Sequence, residues 1–259
     1  MKVRPKKHLG QHFLTDKNMC EKIAKQYKNH QGCNDVLEVG PGMGALTEAL
    51  FNRGDLEMKV MEIDTDSIEY LKVNFPQLSG NIFEEDFLRC DLSTLYKGKQ
   101  FGVVGNFPYN ISSQIVFKCI EYREFVPEIM GMFQKEMAER IAEPPGSKKY
   151  GIISVLTQAF YDIEYCFTID EHMFNPPPKV KSGVIRCTRN GRAELPCDEK
   201  LFIRVVKAGF NQRRKTLRNS LKVFFKGQAM TDEIFNLRPE VLSVEQFIDM
   251  TNRIAALED

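Results

Sequence analysis

The chain has 259 residues, of which 42% are hydrophobic and 27% charged. This composition is that of a globular protein with a normal core, and it excludes a disordered or collagen-like chain. The 36 basic residues nearly balance the 35 acidic ones, so a uniformly basic nucleic-acid coat is excluded while a local basic face is not. No apolar run approaches the ~20 residues that span a bilayer, and the basic first ten residues lack the apolar segment of a secretory signal. The seven cysteines are scattered, without a C-x-x-C pair. We therefore expect a cytoplasmic protein without membrane segments, disulfides or a metal site.

The pattern of short apolar strands and helices predicts an α/β fold with a mostly parallel sheet. A basic arm at 1–20 leads into a helix that begins at the Thr15/Asp16 cap. The predicted strands that follow are 36–39, 59–63, 81–85, 101–104 and 129–133, with helices at 45–53, 65–75 and 135–142. Residues 161–167 and 184–188 are expected to form an antiparallel edge of the sheet.

The composition changes after about residue 189. Asn190-Gly191 and Pro196 indicate a linker, and from Asp198 onward the apolar periodicity is helical. The sequence therefore predicts two domains, an α/β domain at 1–190 and a small all-helical domain at 191–259.

A glycine-rich turn, G-P-G-M-G at 40–44, follows the first of these strands and opens a helix. Glycine lets the backbone approach a ligand closely, and Glu62, at the end of the next strand, can accept hydrogen bonds from ribose hydroxyls. The arrangement predicts a cofactor that contains a nucleoside. The spacing of Gly40, Gly42 and Ala45 also satisfies the dinucleotide pattern, so the glycines alone do not identify that cofactor.

Two further acids bear on the identity of the cofactor. Glu38, directly before the turn, would repel a pyrophosphate but suits a cationic sulfonium cofactor, which disfavours a nicotinamide dehydrogenase. Asp86 follows the third strand and could accept a hydrogen bond from an adenine amino group. A helix cap or a solvated acid explains Asp86 equally well on its own.

The tetrapeptide N-F-P-Y at 106–109 follows a buried strand and so lies at the carboxyl edge of the sheet, where open α/β folds bind ligands. Asn106 offers an amide oxygen, and Pro108 biases Phe107 toward an extended conformation that orients its carbonyl. Two fixed acceptors can receive both N–H bonds of an adenine N6 and draw it toward tetrahedral geometry as it attacks an electrophilic methyl group. Tyr109 offers a face for stacking. A simple Asn-Pro turn with a partly buried tyrosine is the structural alternative.

Four motifs carry a resemblance to a known family. N-F-P-Y resembles the N-[LIFP]-P-[YFW] motif of S-adenosylmethionine-dependent adenine-N6 methyltransferases. The arm K-H-L-G-Q-H-F-L at 7–14 resembles that of the small-subunit rRNA adenine dimethyltransferases. The segment F-N-P-P-P-K-V-K-S at 174–182 resembles their F-x-P-x-P-x-V-x-S motif, and F-N-Q-R-R-K-T-L-R-N at 210–219 resembles their C-terminal signature. The motifs run through nearly the whole chain in the family's order.

The resemblance implies a Rossmann-like methyltransferase sheet with helices on both faces, a small helical C-terminal domain, and S-adenosyl-L-methionine as cofactor. It implies dimethylation of two adjacent adenosines in a hairpin loop near the 3′ end of small-subunit (16S) rRNA. The expected partner is this rRNA within a pre-ribosomal particle, and the expected oligomeric state is a monomer. The alternatives are a large-subunit rRNA adenine methylase and a non-catalytic ribosome-assembly factor of the same fold. A DNA adenine methylase is disfavoured because no extra target-recognition domain fits in the length.

The resemblance also assigns candidate residues. By motif match, the cofactor contacts are His12, Leu14, Gly40, Gly42, Glu62, Asp86 and Asn106. The candidate catalytic residues are Asn106, Phe107, Pro108 and Tyr109, with Phe174 as a second aromatic wall for the flipped base. Phe107 stands where leucine is usual in the family, which could change the size of the pocket.

A basic stretch at 204–226 contains no acid and predicts contact with RNA phosphates, the alternative being a solvated helix face. The basic residues of the arm are expected to contribute to the same function. The candidate RNA-binding residues are Lys6, Lys7, Arg213, Arg214, Lys215, Arg218 and Lys222. The apolar residues interleaved in this stretch are expected in the core of the small domain, namely Phe210, Leu217, Leu221 and Phe224.

Overall fold

The computed structural model describes residues 3–225, 227 and 229–257, and of Lys7 it describes only the backbone. By its internal contacts the chain divides into two compact units. The first comprises Met1–Ala138 with Asp162–Arg189, and the second comprises Glu139–Tyr161 with Asn190–Asp259. One boundary between the units lies after Arg189, and residues 139–161 are grouped with the C-terminal segment.

The first unit is built on a seven-stranded sheet and a separate two-stranded sheet. The strands, in chain order, are β1 (Phe13–Leu14), β2 (Asp35–Val39), β3 (Glu57–Met61), β4 (Ile82–Phe83), β5 (Gly102–Asn106), β6 (Glu128–Gln134), β7 (Tyr161–Ile169), β8 (Phe174–Asn175) and β9 (Ser182–Arg189). The order in the large sheet is β4-β3-β2-β5-β6-β9-β7. The five strands β4, β3, β2, β5 and β6 run parallel to one another, and β9 is antiparallel to β6. This confirms the predicted mostly parallel sheet.

The parallel strands all end at one edge of the sheet, where they place four loops side by side. The register aligns Val39 with Met61 and Asn106 with Met132. The strands β2, β5 and β6 are buried along nearly their whole length, which explains their continuous apolar sequences. The glycine turn, the start of the loop after β3, the loop after β4 and the tetrapeptide therefore meet at this edge.

Five α-helices begin among the described residues of the first unit: α1 (Lys17–Ala24), α2 (Ala45–Phe51), α3 (Thr65–Asn74), α4 (Ser112–Glu121) and α5 (Lys135–Ala142), the last crossing the division after Ala138. The predicted cap of α1 is confirmed, since the Asp16 carboxylate accepts the Met19 N–H at 2.7 Å. Gly44 precedes α2 with a φ of 78°, and a Cβ there would lie 2.3 Å from the ring of Phe75. Only glycine fits at that position.

The two-stranded sheet joins the arm to a distant segment of the chain. β1 and β8 pair antiparallel, with Phe13 opposite Asn175 and Leu14 opposite Phe174. Strands of two residues carry no periodicity, so the sequence does not predict them.

In the second unit, all regular structure among the described residues from 190 onward is helical. Its helices are α6 (Ile152–Gln158), α7 (Glu199–Asn211), α8 (Leu217–Ser220) and α9 (Val244–Ala255), and α7 contacts the other three. Asp198 caps α7 by accepting the Leu201 N–H at 2.6 Å, and Ser243 caps α9 in a capping box with Gln246.

The apolar side chains of the second unit form its core. Phe210, Leu217, Leu221 and Phe224 are all buried, which confirms the prediction that they are core residues rather than base-stacking groups. Among the described residues of both units, no helix has the length and apolar character that crossing a membrane requires.

Candidate active site

A cavity lies at the carboxyl edge of the parallel strands. Its walls come from five segments of the first unit that are far apart in sequence. They are residues 8–13 of the arm, the end of β2 and the glycine turn at 39, 40 and 42, the end of β3 and the two residues after it at 61–63, the loop at 85–88, and the tetrapeptide with the two residues after it at 106–111.

The glycine turn gives the cavity a floor of bare backbone. Gly40 and Gly42 have φ values of 68° and 56°, in the left-handed region that favours glycine. A Cβ on Gly42 would lie 2.6 Å from the Phe13 ring. Gly40 and Gly42 therefore carry no side chain that would keep a ligand away from the main chain.

Glu62 is a buried acceptor beside this turn. It is 5% exposed, its Oε1 accepts the N–H groups of Ile63 and Asp64 at 2.9 and 3.0 Å, and its Oε2 accepts the Gly42 N–H at 3.1 Å. Burial raises the pKa of Glu62, and the three N–H groups oppose this by stabilising the carboxylate. A carboxylate has about four acceptor positions, so three bonds leave one on Oε2 for a ligand hydroxyl.

The loop after β4 brings Asp86 to the lining of the same cavity. Its Oδ1 accepts the Leu88 N–H at 2.9 Å. The ammonium of Lys118, on α4, donates to the carbonyls of Leu88, at 3.0 Å, and Cys90. Lys118 thereby fastens this loop to the helix that follows the tetrapeptide, a role that the sequence gave no reason to expect.

The arm is fastened along the rim of the cavity. Gln11 Nε2 donates to Asp64 Oδ2 at 2.8 Å, and Lys6 forms ion pairs with Asp64 and, at 2.9 Å, Asp66. Gly10 adopts a φ of 67° against the Asn110 side chain, which a Cβ would meet at 2.7 Å. Lys6, which is predicted to contact RNA, is thus engaged with two carboxylates. Gln11 and Asp64, which hold the arm beside the cavity, were not predicted from the sequence.

Asn106 connects the tetrapeptide to the arm. Its Nδ2 donates to the His12 carbonyl at 2.7 Å. This bond fixes the amide, so the Oδ1 acceptor on the other branch has a defined direction. Asn106, Pro108 and His12 all line the cavity.

The Phe107 ring is buried in the sheet, where it is 1% exposed. It packs edge-on to Phe133, with ring centroids 5.2 Å apart. A Cβ on Gly105 or Gly131 would lie 2.9 or 2.3 Å from this ring. Because they lack a Cβ, the two glycines leave room for the phenylalanine ring at a position where leucine is usual.

Tyr109 is half-buried at the cavity and is held by two neighbours. Its ring stacks on the His12 imidazole, with centroids 5.5 Å apart and planes 26° from parallel. Its hydroxyl shares a hydrogen bond with Ser182 Oγ at 2.6 Å. Burial raises the pKa of Tyr109, and Ser182 opposes this.

Two residues assigned by the resemblance do not line the cavity. Leu14 and Phe174 face each other across the β1–β8 pair and are 5% and 3% exposed. Both belong to the apolar core of the first unit. The structure therefore does not bring Phe174 to the position of a second aromatic wall.

Glu38 is also buried away from the cavity lining. It is 1% exposed, and its Oε2 accepts the Thr47 hydroxyl at 2.6 Å. Burial raises its pKa to about 8, which the Thr47 bond partly opposes. Glu38 therefore does not face a ligand in the cavity, and its charge gives no direct support for a cationic cofactor.

The basic residues of the second unit fall into two groups. Arg213 donates to the carbonyls of Ser147 and Tyr150 at 3.2 and 2.9 Å. Arg218 donates to the Met230 carbonyl and to Asn236 Oδ1. Both guanidinium groups thus support the fold of the unit. Arg218 is exposed as well as bonded, and the other exposed cations of the predicted set are Arg214, Lys215 and Lys222. The side chain of Lys7 lies outside the part of the chain that is described.

The residues present fit a nucleoside cofactor. The glycine turn can take a ligand against its backbone, the buried Glu62 carboxylate can accept from a ribose hydroxyl, and Asp86 in the same cavity can accept from a base amino group. With the tetrapeptide at the same cavity, this fold and site define an S-adenosylmethionine-dependent methyltransferase.

Comparison with known proteins agrees with this class. The family described as Ribosomal RNA adenine dimethylase matches residues 3–256. The Ribosomal RNA small subunit methyltransferase A of Cytophaga hutchinsonii is 56% identical over 255 residues, covering 98% of each chain. That of Flavobacterium johnsoniae is 56% identical over 256 residues, covering 98% of this chain and 97% of the relative.

Two solved structures are similar throughout. A dimethyladenosine transferase from Plasmodium falciparum has a TM-score of 0.77 at 22% identity, covering 95% of this chain and 98% of the other. The 23S rRNA methyltransferase ErmE has a TM-score of 0.64 at 25% identity, covering 93% and 99%. The chain belongs to the ribosomal RNA adenine dimethylase family, and the predicted fold and family are confirmed. As a member it is an S-adenosylmethionine-dependent methyltransferase that acts on rRNA.

Proposed function

We propose that this protein dimethylates the N6 atoms of two adjacent adenosines in the hairpin loop near the 3′ end of small-subunit rRNA, within a pre-ribosomal particle. The observation that carries the proposal is that the N-F-P-Y tetrapeptide lines the same cavity as the glycine turn, Glu62 and Asp86. The relatives named for the small subunit are 53–56% identical, against 25% for the 23S enzyme, which favours the small-subunit substrate. We further propose that the protein acts in the cytoplasm as a monomer.

The cofactor would be held by the chain's own backbone and acids. The remaining acceptor on Glu62 Oε2 would bind a ribose hydroxyl, and Asp86 would accept from the adenine amino group. Bound there, S-adenosylmethionine supplies an electrophilic methyl group. His12 and Gln11 of the arm form part of the cavity wall, and the bond from Gln11 to Asp64 holds the arm there.

On the target side, the tetrapeptide orients the amine. The bond from Asn106 Nδ2 to the His12 carbonyl directs Oδ1, and burial of the Phe107 ring fixes the direction of its carbonyl. Two such acceptors bind the N–H groups most strongly as the nitrogen becomes tetrahedral, so they stabilise the transition state more than the ground state. The proton leaves after transfer, and no side chain has to remove it first. Tyr109 stacks on the flipped base.

The activity test maps the product. Wild-type protein, labelled S-adenosylmethionine and immature small subunits should yield label at two adjacent adenosines of the 3′-terminal loop. Asn106→Ala, at saturating cofactor, should lose on the order of 10²–10³ in single-turnover rate, by analogy with one oxyanion-hole donor. Asn74→Ala, an exposed asparagine on α3, is the matched control. Label in large-subunit rRNA offered in a parallel reaction, with none in the small subunit, or a wild-type rate for Asn106→Ala, would contradict the proposal.

RNA binding is proposed for the exposed cations of the second unit. Arg214→Ala/Lys215→Ala should weaken RNA binding and flatten the slope of log K against log salt by somewhat under one unit per lost phosphate contact. Arg213 is left intact in this test because its loss would disturb the second unit itself. The control is Lys25→Ala/Lys99→Ala, two exposed lysines of the first unit. A wild-type salt slope in the test variant would mean that the cluster is only a solvated face.

A further inference from the structure

Ser182 is a buried polar residue whose hydroxyl points at the active site. Its exposed fraction is 0%, and it begins β9 opposite Gln134 at the end of β6. Pairing on this strand and the bond from the Lys135 N–H to the Lys181 carbonyl, at 2.9 Å, hold its backbone in place. Its Oγ lies 2.6 Å from the Tyr109 hydroxyl oxygen.

Tyr109 is also held from the side. The His12 ring stacks on one face of it, and His12 Nδ1–H donates to the Pro176 carbonyl at 2.7 Å. Pro176 and Ser182 belong to the same segment, so residues 174–182 hold both the tyrosine and the imidazole that covers one of its faces. A target base would stack on the opposite face.

We propose that Ser182 is a positioning residue that fixes the ring plane of Tyr109 for stacking of the target adenine. The inference rests on the function proposed above. A tyrosine anchored only at Cβ can swing about two side-chain torsions, and an anchor at its hydroxyl removes most of that freedom. Ordering the ring before the base arrives removes an entropic cost from the methyl-transfer step.

A purely structural role for Ser182 makes a different prediction. A buried hydroxyl needs a partner, so a structural bond would affect the melting temperature and leave chemistry unchanged in the folded protein. A positioning bond changes the rate of methyl transfer at saturating cofactor and RNA. The two roles are therefore separable by comparing rate with stability.

The experiment is a double-mutant cycle on the full-length protein with Ser182→Ala, Tyr109→Phe and the combined variant. Single-turnover methylation of the immature small subunit, affinity for cofactor and RNA, and melting temperature are measured for each. A second readout uses RNA with 2-aminopurine at the target position, whose fluorescence is quenched by stacking. Ser220→Ala is the matched control, because Ser220 is buried and its Oγ has no hydrogen-bond partner among the described residues.

Ser182→Ala and Tyr109→Phe should each lower the rate about 3- to 10-fold, the size expected of one neutral hydrogen bond. The combined variant should be no slower than either, affinities should stay within about twofold, and quenching should decrease. Ser182→Thr, which keeps the hydroxyl, should restore most of the rate. If Ser182→Ala does not fold, Tyr109→Phe tests the same bond from the other side.

Wild-type rates in both single variants, or effects that multiply in the combined variant, would overturn the positioning role. Failure of wild-type protein to methylate the particle or to quench 2-aminopurine would instead overturn the proposed function. The two failures are thus distinguished by the wild-type measurements alone.

Discussion

Replacing Glu62 by glutamine tests the assignment of the cofactor site. The side chain keeps its size but loses its charge. Its amide oxygen can still accept the N–H groups of Ile63 and Asp64, and the amide nitrogen then faces the Gly42 N–H where Oε2 had accepted it. Two donors meet, and the acceptor position that faces the ligand is lost.

The structure sets the size of both effects. Loss of one charge-assisted hydrogen bond to a ribose hydroxyl costs about 1.5–3 kcal/mol, which is about ten- to a hundredfold in affinity. The unsatisfied Gly42 N–H adds a stability cost of about 1–3 kcal/mol. For a chain of this size each kcal/mol lowers the melting temperature by about 2–4 °C.

Calorimetric titration with S-adenosylmethionine and a thermal melt measure the two effects separately. Glu38→Gln is the matched control, since Glu38 is similarly buried and is the last but one residue of the neighbouring strand but does not line the cavity. The reasoning is refuted if folded Glu62→Gln binds the cofactor with wild-type affinity, or if Glu38→Gln loses as much.

Three further predictions concern residues outside the reaction itself. The pKa of Glu38 rises from 4.5 to about 8 on folding, so between these pH values the folded protein binds more protons than the unfolded chain. The free energy of unfolding should therefore fall as the pH rises through that window, by at most about 1.4 kcal/mol per pH unit. Glu38→Gln should flatten this slope in denaturant titrations at pH 5 and 8, and an unchanged slope would assign it to other groups. Arg213→Ala should lower the melting temperature by several degrees, since each of its two bonds to carbonyls contributes about 1–3 kcal/mol, whereas exposed Arg214→Ala should leave it unchanged. Lys118→Met should release the loop that carries Asp86 and so weaken cofactor binding about 3- to 30-fold. RNA affinity should change little, and equal losses of cofactor and RNA affinity would indicate general unfolding instead.

The parts of the site that could be predicted follow from the sheet. Continuous apolar runs indicate parallel strands, and the carboxyl ends of parallel strands share one edge. The glycine turn, Glu62, Asp86 and the tetrapeptide each follow such a run, so their meeting at one cavity is a consequence of topology.

The parts that could not be predicted depend on side-chain direction and on distant pairing. Motif order assigns Phe174 to the site but does not reveal that its strand turns it into the core opposite Leu14. Charge counting does not distinguish Arg213, which bonds carbonyls of its own unit, from exposed Arg214. The segment 139–161 has no local signal that groups it with C-terminal helices, because that grouping arises from packing.

The closure of the cavity by the arm has a consequence for the kinetics of folding. His12 bonds to Pro176, 164 residues away, and Asn106 bonds to His12, 94 residues away. Contacts of such long sequence separation form late, since loop-closure entropy must be overcome before they form. During synthesis the glycine turn and the tetrapeptide emerge well before β8, which pairs with the arm. The arm can therefore take its place in the cavity wall only after residues near 176 have left the ribosome.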